Sequence, residues 1–370
     1  MNLRICFICL CLLGSASCQL ATEVPSAPQI QFFDAENYPQ QLSSWGVLST
    51  ANGRVQIAQD SHVYDLNTAL FTDYALKLRT LYIPPEGQAN YHPQEAFDLP
   101  VGSVIAKTFF YATDEQSAVV LDAKWDGDPA SLDPTRLRLI ETRLLVKQTD
   151  GWDALPYIWR GDDAYLAITG DLFTLPVADG STLNYLIPSR NQCAGCHAEN
   201  HTTGTLAPIG IKARHLHRGD PIGGINQLSA WEKRGQLTAL PALHSIEANA
   251  PWGDPQVDLT HRARSYLDIN CGHCHNAVGA ADTSGLLLDY QPHTPPTLGV
   301  CKPPIAAGRG SGGHLYSIVP GQAEQSIMAF RLKSTNPATM MPELGRSLPH
   351  QEGIQLISQW INALPVEPCL

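Results

Sequence analysis

A five-residue pattern that occurs twice constrains this chain more than any other feature. It reads Cys193-Ala194-Gly195-Cys196-His197 and again Cys271-Gly272-His273-Cys274-His275. Cysteines three positions apart lie about one helical turn from each other, and a histidine follows directly. Whatever the fold, it must bring two thiols and an imidazole to one object at each place. Zinc, a disulfide and a covalently attached haem compete for the pattern. Zinc ribbons pair C-x-x-C units about 15 to 20 residues apart. Here residues 197 to 270 intervene, and both pairs end in His. A thioredoxin-like pair needs a βαβ context that this chain does not display. C-x-x-C-H is the attachment signal of c-type haem. Each cysteine can form a thioether with a haem vinyl group, and the next residue places its imidazole under the iron. The pattern therefore predicts two covalently attached haem c groups. Cys193 and Cys196 attach the first, with His197 as iron ligand; Cys271 and Cys274 attach the second, with His275 as iron ligand. His273 lies between two thioether cysteines and is expected to point away from the iron.

The second motif has the surroundings of a small cytochrome c domain. "LTHRARSYLDIN" (259–270) carries Ala263, Tyr266 and Leu267 on one helical face ahead of it. Pro- and Gly-rich loops follow it, then "MMPELGR" (340–346), then an amphipathic helix near 350–363 with Ile354, Ile357, Trp360 and Ile361 on one stripe. Met341, 66 positions past His275, is the expected sixth ligand, with Met340 as the adjacent alternative. No Met lies between His197 and the second motif. His201, His215, His217, His244 and His261 are the candidates there, with His215 and His217 of "KARHLHRGD" in front. An open face on the first iron would instead allow small molecules to bind and react. Cys301 and Cys369 remain, as a disulfide or as free thiols.

The start, "MNLRICFICLCLLGSASCQL", has one charge at Arg4, a short apolar run and small residues for cleavage, so residues 1–18 read as a signal peptide. Cys18 directly follows the small residues and raises lipidation as an alternative, although Ser15 stands where an aliphatic residue is usual. Residues 19–44 read as a Pro-rich linker. Residues 45–188 read as a β-rich domain, from segments such as "KLRTLYIP" (77–84), "SVIAKTFFYAT" (103–113) and "LRLIETRLLVKQ" (137–148), with Asp150-Gly151 turning the chain into "WDALPYIW" (152–159). Residues 189–254 hold the first attachment region, and 255–370 a cytochrome c-like domain. The fold class expected is α+β, with an N-terminal antiparallel β-rich domain ahead of a mainly helical cytochrome region. A formal charge of −11 with no basic run argues against nucleic acid as a partner. No later segment has the 18 or so apolar residues of a membrane span.

On these blocks the chain resembles a largely uncharacterised family of exported bacterial dihaem c-type cytochromes, often encoded beside a parallel β-helix repeat protein. The resemblance rests on "YDLNTALFTDYALKLR" (64–79), "LIETRLLVKQTDGWDALPYIW" (139–159), "NQCAGCH" (191–197), "RARSYLDINCGHCHNAVGAADTSGLLLD" (262–289), "GVCKPPIAAGRGSGG" (299–313), "IVPGQAEQSI" (318–327) and "MMPELGRSLPHQEG" (340–353). It implies haem binding, electron transfer between redox proteins and a periplasmic or exported location. It departs from the family at Leu216-His217, where "LN" is expected, so it carries no ligand role to His217. Electron transfer is the leading function. A dihaem peroxidase or oxidase with an open first iron, and a partner-binding module built on the β region, are the competing classes.

Overall fold

The computed structural model describes residues 27–305, 307–366 and 368–369. The signal peptide, Cys18 and the first part of the linker lie outside them.

A seven-stranded antiparallel sheet organises the N-terminal half. Its strands are β1 (His62–Val63), β2 (Leu76–Tyr82), β3 (Val104–Thr113), β4 (Val119–Val120), β5 (Leu137–Gln148), β6 (Gly151–Arg160) and β7 (Asp163–Leu166). The order is β7-β6-β5-β3-β2-β1, with β4 pairing the end of β3. The long strands arise where β-branched and aromatic residues run together. Gln148 pairs with Gly151, so Thr149-Asp150 form the β5–β6 turn and Gly151 opens the return strand, one position earlier than expected. A separate hairpin, β8 (Asp171–Pro176) and β9 (Thr182–Ile187), follows. With the helices below, this makes the chain α+β.

Both sheet faces are covered. Leu78, Leu144, Val146, Leu155 and Tyr157 meet Leu42, Trp45, Val47 and Val55 on one face, joined by Phe33 and Tyr38. Residues 30–44 thus pack against the sheet, where sequence suggested an extended linker. The opposite face packs Leu81, Ile105, Leu145 and Ala154 against Cys193, Ile211, Leu216, Trp231 and Ile246. The boundary anticipated at 188/189 runs through this shared core.

Helices α1 (Arg190–His197), α2 (Ala213–Leu216) and α3 (Gln227–Lys233) lie in that covering segment. The C-terminal part has its own core, built by α4 (Leu259–Leu267), α5 (Ile327–Lys333) and α6 (Gln351–Ala363). Tyr266, Leu267, Leu356, Ile357, Trp360 and Ile361 fill it. Cys301 and Cys369 are joined as a disulfide, which resolves the choice left open for them.

Residues 65–74 strap the two halves together. The Asn67 N–H and side chain donate to the carbonyls of His215, Arg214 and His217. The Thr68 hydroxyl donates to the Ala250 carbonyl, and Phe71 N–H to Asn270 Oδ1. Asp73 accepts the N–H groups of Ser347 and Leu348 and the Ser347 hydroxyl. Tyr74 donates to Glu352.

Candidate functional site

The first motif is the helix α1 itself. The Ser189 hydroxyl accepts from the Gln192 N–H, and the Gln192 side chain accepts from the Ser189 N–H. This reciprocal cap satisfies two of the free donors at a helix start and sets where the helix begins. Cys193 and Cys196 then fall one turn apart, and His197 closes the helix. Cys193 is buried against the sheet, whereas Cys196 and His197 keep some accessible surface. The His197 Nδ1 lies 2.9 Å from the Ala207 carbonyl oxygen. A carbonyl can only accept, so Nδ1 carries the proton and Nε2 keeps its lone pair. Burial lowers the imidazole to about 4, which keeps it neutral at physiological pH.

The second motif follows α4 through a π-helical turn, Asp268–Gly272. Such wider turns re-aim the residues after them and recur at functional sites. Gly272 is required there, because a Cβ at this position would stand 2.7 Å from the Asp289 Cα. His275 Nδ1 lies 3.1 Å from Ser284 Oγ, and that hydroxyl sits 2.7 Å from the Ala281 carbonyl. The hydroxyl proton goes to the carbonyl, so Ser284 accepts from His275. His275 therefore keeps an Nε2 lone pair too, and burial lowers it to about 4. Neither Nε2 has a hydrogen-bond partner among the described residues.

The two motifs meet. Ligand atoms of Cys196, His273 and Cys274 all lie within 4.8 Å of one another. Cys274 Sγ is 3.3 Å from the Gly195 carbonyl oxygen. Hydrogen bonding from the Cys274 thiol holds the Cys196 sulfur well below the usual thiol range, and His273 adds to this. His273 Nδ1 is buried without a partner among the described residues. His273, expected to point away from the iron, stands where the two motifs touch. Cys271 is separate from this meeting point, and burial raises its thiol to about 12.

Met341 lies in the loop between α5 and α6. Its N–H donates to the Arg331 carbonyl at 3.0 Å. Its carbonyl accepts from Arg346, whose Nε and Nη2 lie 3.1 and 2.8 Å away. Met341 is half-buried and Met340 buried. Arg331 anchors this loop through the Thr339 carbonyl at 3.1 Å and an ion pair with Glu343 at 3.5 Å. Leu344 reaches the first motif, 3.5 Å from where a Gly195 Cβ would stand.

The histidines proposed for the first iron separate clearly. His215 is buried with both ring nitrogens engaged. Nδ1 accepts from Asn249 at 3.1 Å, and Nε2 faces the Asp268 carboxylate at 3.6 Å. It is unsuited to ligation. His217 donates Nδ1–H to the Ile246 carbonyl at 3.1 Å, leaving Nε2 as in His197. His201 holds Val278 of the second motif's loop through its Nδ1 at 3.0 Å. His261 is turned to the Ala248 carbonyl at 3.1 Å, and His244 is exposed.

Sequence reading missed the polar girder between α2 and the second motif's turn. Arg214 grips Asp268 through two bonds of 2.8 and 2.9 Å, and Asn249 adds a third at 2.8 Å. Burial opposes ionisation of Asp268, but His215, Arg214 and Asn249 hold its carboxyl well below the usual range. The only local signal was a charged residue three positions before Cys271 in an otherwise apolar helix end.

Two thiols on one helical turn, followed by a neutral imidazole with its outer nitrogen free and its inner nitrogen held, suit a c-type haem at the first motif. The second offers the same donor set. Imidazoles that ligate metals are held through their other nitrogen in this way. A scan against models of protein families finds no match, and neither curated proteins nor solved structures yield one. Among the described residues no helix is long and apolar enough to cross a membrane.

Proposed function

We propose that this chain is an exported dihaem c-type cytochrome that passes electrons between redox partners outside the cytoplasm. The observation that carries the reading is the matched state of His197 and His275. Each imidazole is neutral, held through Nδ1 by an acceptor and left with a bare Nε2. When bound, the haem iron at each site supplies a one-electron couple. The chain's part is to fix the imidazoles, exclude water and offer Met341 as the second site's further ligand. The contact between Cys196 and Cys274 supports direct exchange between the sites, because it brings their attachment points together.

The test is the full chain expressed with an export signal in a host that matures c-type cytochromes. Two haems per chain are expected by pyridine haemochrome assay. Cys193→Ser/Cys196→Ser and Cys271→Ser/Cys274→Ser should each leave one. Met341→Ala should remove the long-wavelength Met-to-iron charge-transfer band. Two low-spin irons in the oxidised protein agree with electron transfer alone, whereas a high-spin iron with peroxide turnover assigns the first site to catalysis.

A second reading rests on the cluster of Cys196, His273 and Cys274. Three such ligands suit a zinc ion with one open position. Purified protein that holds stoichiometric zinc and no covalent haem would establish it and overturn the first.

A further inference from the structure

One sheet face presents a charge pattern that neither packing nor haem attachment requires. Cross-strand partners share a face, and so do residues two apart on one strand. The register places Arg79, Lys107 and Arg143 side by side on β2, β3 and β5. In the next row Lys77 stands opposite Phe109, and Phe109 opposite Glu141. Four basic side chains therefore crowd one patch between two apolar clusters. Like charges directly opposite in a sheet are destabilising. Lys77, Lys107 and Arg143 all surround the Phe109 ring, at 5.7, 4.9 and 4.5 Å from its centroid.

The nearby carboxylates are already committed. Glu141 is fully buried and accepts two bonds from Arg143 and one from the Tyr185 hydroxyl. Asp65 is shared between Arg79 and Arg218. Asp73 is taken by the Ser347 and Leu348 amides. Lys77 donates to the Ala75 carbonyl, and Lys107 has no hydrogen-bond partner among the described residues. Burial drops Lys77 to about 7 and Lys107 well below the lysine range, and the neighbouring Arg79 and Arg143 push both further down. The patch lies beside the first motif, since Lys107 and Arg143 share their sheet face with Ile105 and Leu145, which pack in one core with Cys193. A cavity of about 180 Å³ opens at the edge of β2, lined by Lys77, Arg79, Asp65 and Trp125 among others.

We propose that Lys77, Lys107 and Arg143 form an anion site beside α1 that takes a carboxylate or similar small oxyanion. Two sources share this chemistry: the propionate groups of a haem held by Cys193 and Cys196, or a free oxyanion from solution. The propionate source rests on the haem reading; the cation row does not, because it belongs to the sheet.

The experiment uses the full chain as wild type, Lys107→Gln, Lys77→Gln and the charge-retaining Lys107→Arg. It measures both midpoint potentials and the thermal stabilisation by inorganic phosphate. With propionates in the site, Lys107→Gln lowers one midpoint and leaves the other, Lys107→Arg restores it, and phosphate does not stabilise the loaded wild type. With a free oxyanion, phosphate raises the wild-type melting temperature, and Lys107→Gln and Lys77→Gln each weaken its affinity at least tenfold. If the protein carries no haem, the phosphate measurement still decides the site. Folded Lys→Gln variants with unchanged midpoints and no phosphate effect in any form would overturn the proposal. Circular dichroism, with Lys107→Arg as reference, separates that outcome from misfolding.

Discussion

The two Cys-pair sites are built from the same five-residue pattern but from different surroundings. The first is a short capped helix laid on a sheet face, where Leu81, Ile105, Leu145 and Ala154 of β2, β3, β5 and β6 share a core with Cys193 and with residues 211–246. The second is an extension of α4, walled by its own helical core. The first borrows its environment across long sequence distances, while the second carries its environment with it. A motif specifies which atoms converge, but the electrostatics around them depend on which elements the fold brings to the motif. Here that leaves a row of basic side chains beside α1 and, beside Cys271, a helical core flanked by the buried Arg214–Asp268 pair.

The Arg214–Asp268 girder should be the most effective way to break this distinction, because it ties α2 of the segment that covers the sheet to the turn that carries Cys271. Arg214→Met leaves a buried, uncompensated carboxylate and should cost about 3–5 kcal/mol in urea unfolding. If both motifs carry haem as proposed, the two sites should lose their native spectra together. If only one does, the girder is not shared. Asp73→Ala removes the acceptor for the Ser347 and Leu348 amides and should cost about 2–3 kcal/mol. Its effect should fall on the Met341 loop, so the signature of the second site weakens while that of the first persists. Gly272→Ala forces a Cβ against the Asp289 backbone and should cost about 1–3 kcal/mol, again on the second site, read as a fall in melting temperature.

The smallest expected effect is on pH dependence. His350 stacks on Phe71 at 4.3 Å and bonds the Tyr266 hydroxyl at 2.9 Å. Burial lowers it to about 4 in the folded chain. The unfolded chain therefore takes up this proton first, near pH 6.5. Stability is full above about pH 6.5 and falls by on the order of 1 kcal/mol per pH unit as pH drops toward 4. His350→Gln should flatten the slope in that window. An unchanged slope would show that other groups carry it, with His215, lowered to about 3, the next to substitute.

Much of the local structure was legible. The strand 137–148 and the helices near 259–267 and 351–363 follow from period-two and period-3.6 patterns that burial rewards directly. The packing of residues 30–44 was not legible, because a polar, Pro-containing stretch shows few of the apolar positions that anchor it. Phe33, Tyr38 and Leu42 are spaced with no regular period. Nor could His215 be told from His217. They differ by two positions in sequence, and only the fold shows that Asn249 and Asp268 occupy both nitrogens of one.

Taken alone, the sequence determined that two thiol pairs, each with an adjacent imidazole, occur on short helical turns, because that spacing is local. It also placed a methionine-bearing turn ahead of the last amphipathic helix. Tertiary structure decided that the two motifs touch at Cys196 and Cys274, and that Ala207 and Ser284 select the imidazole tautomers. It also placed a row of basic residues from separate strands on the sheet face that packs against Cys193. These outcomes depend on contacts between residues far apart in the chain, and no local pattern encodes such contacts.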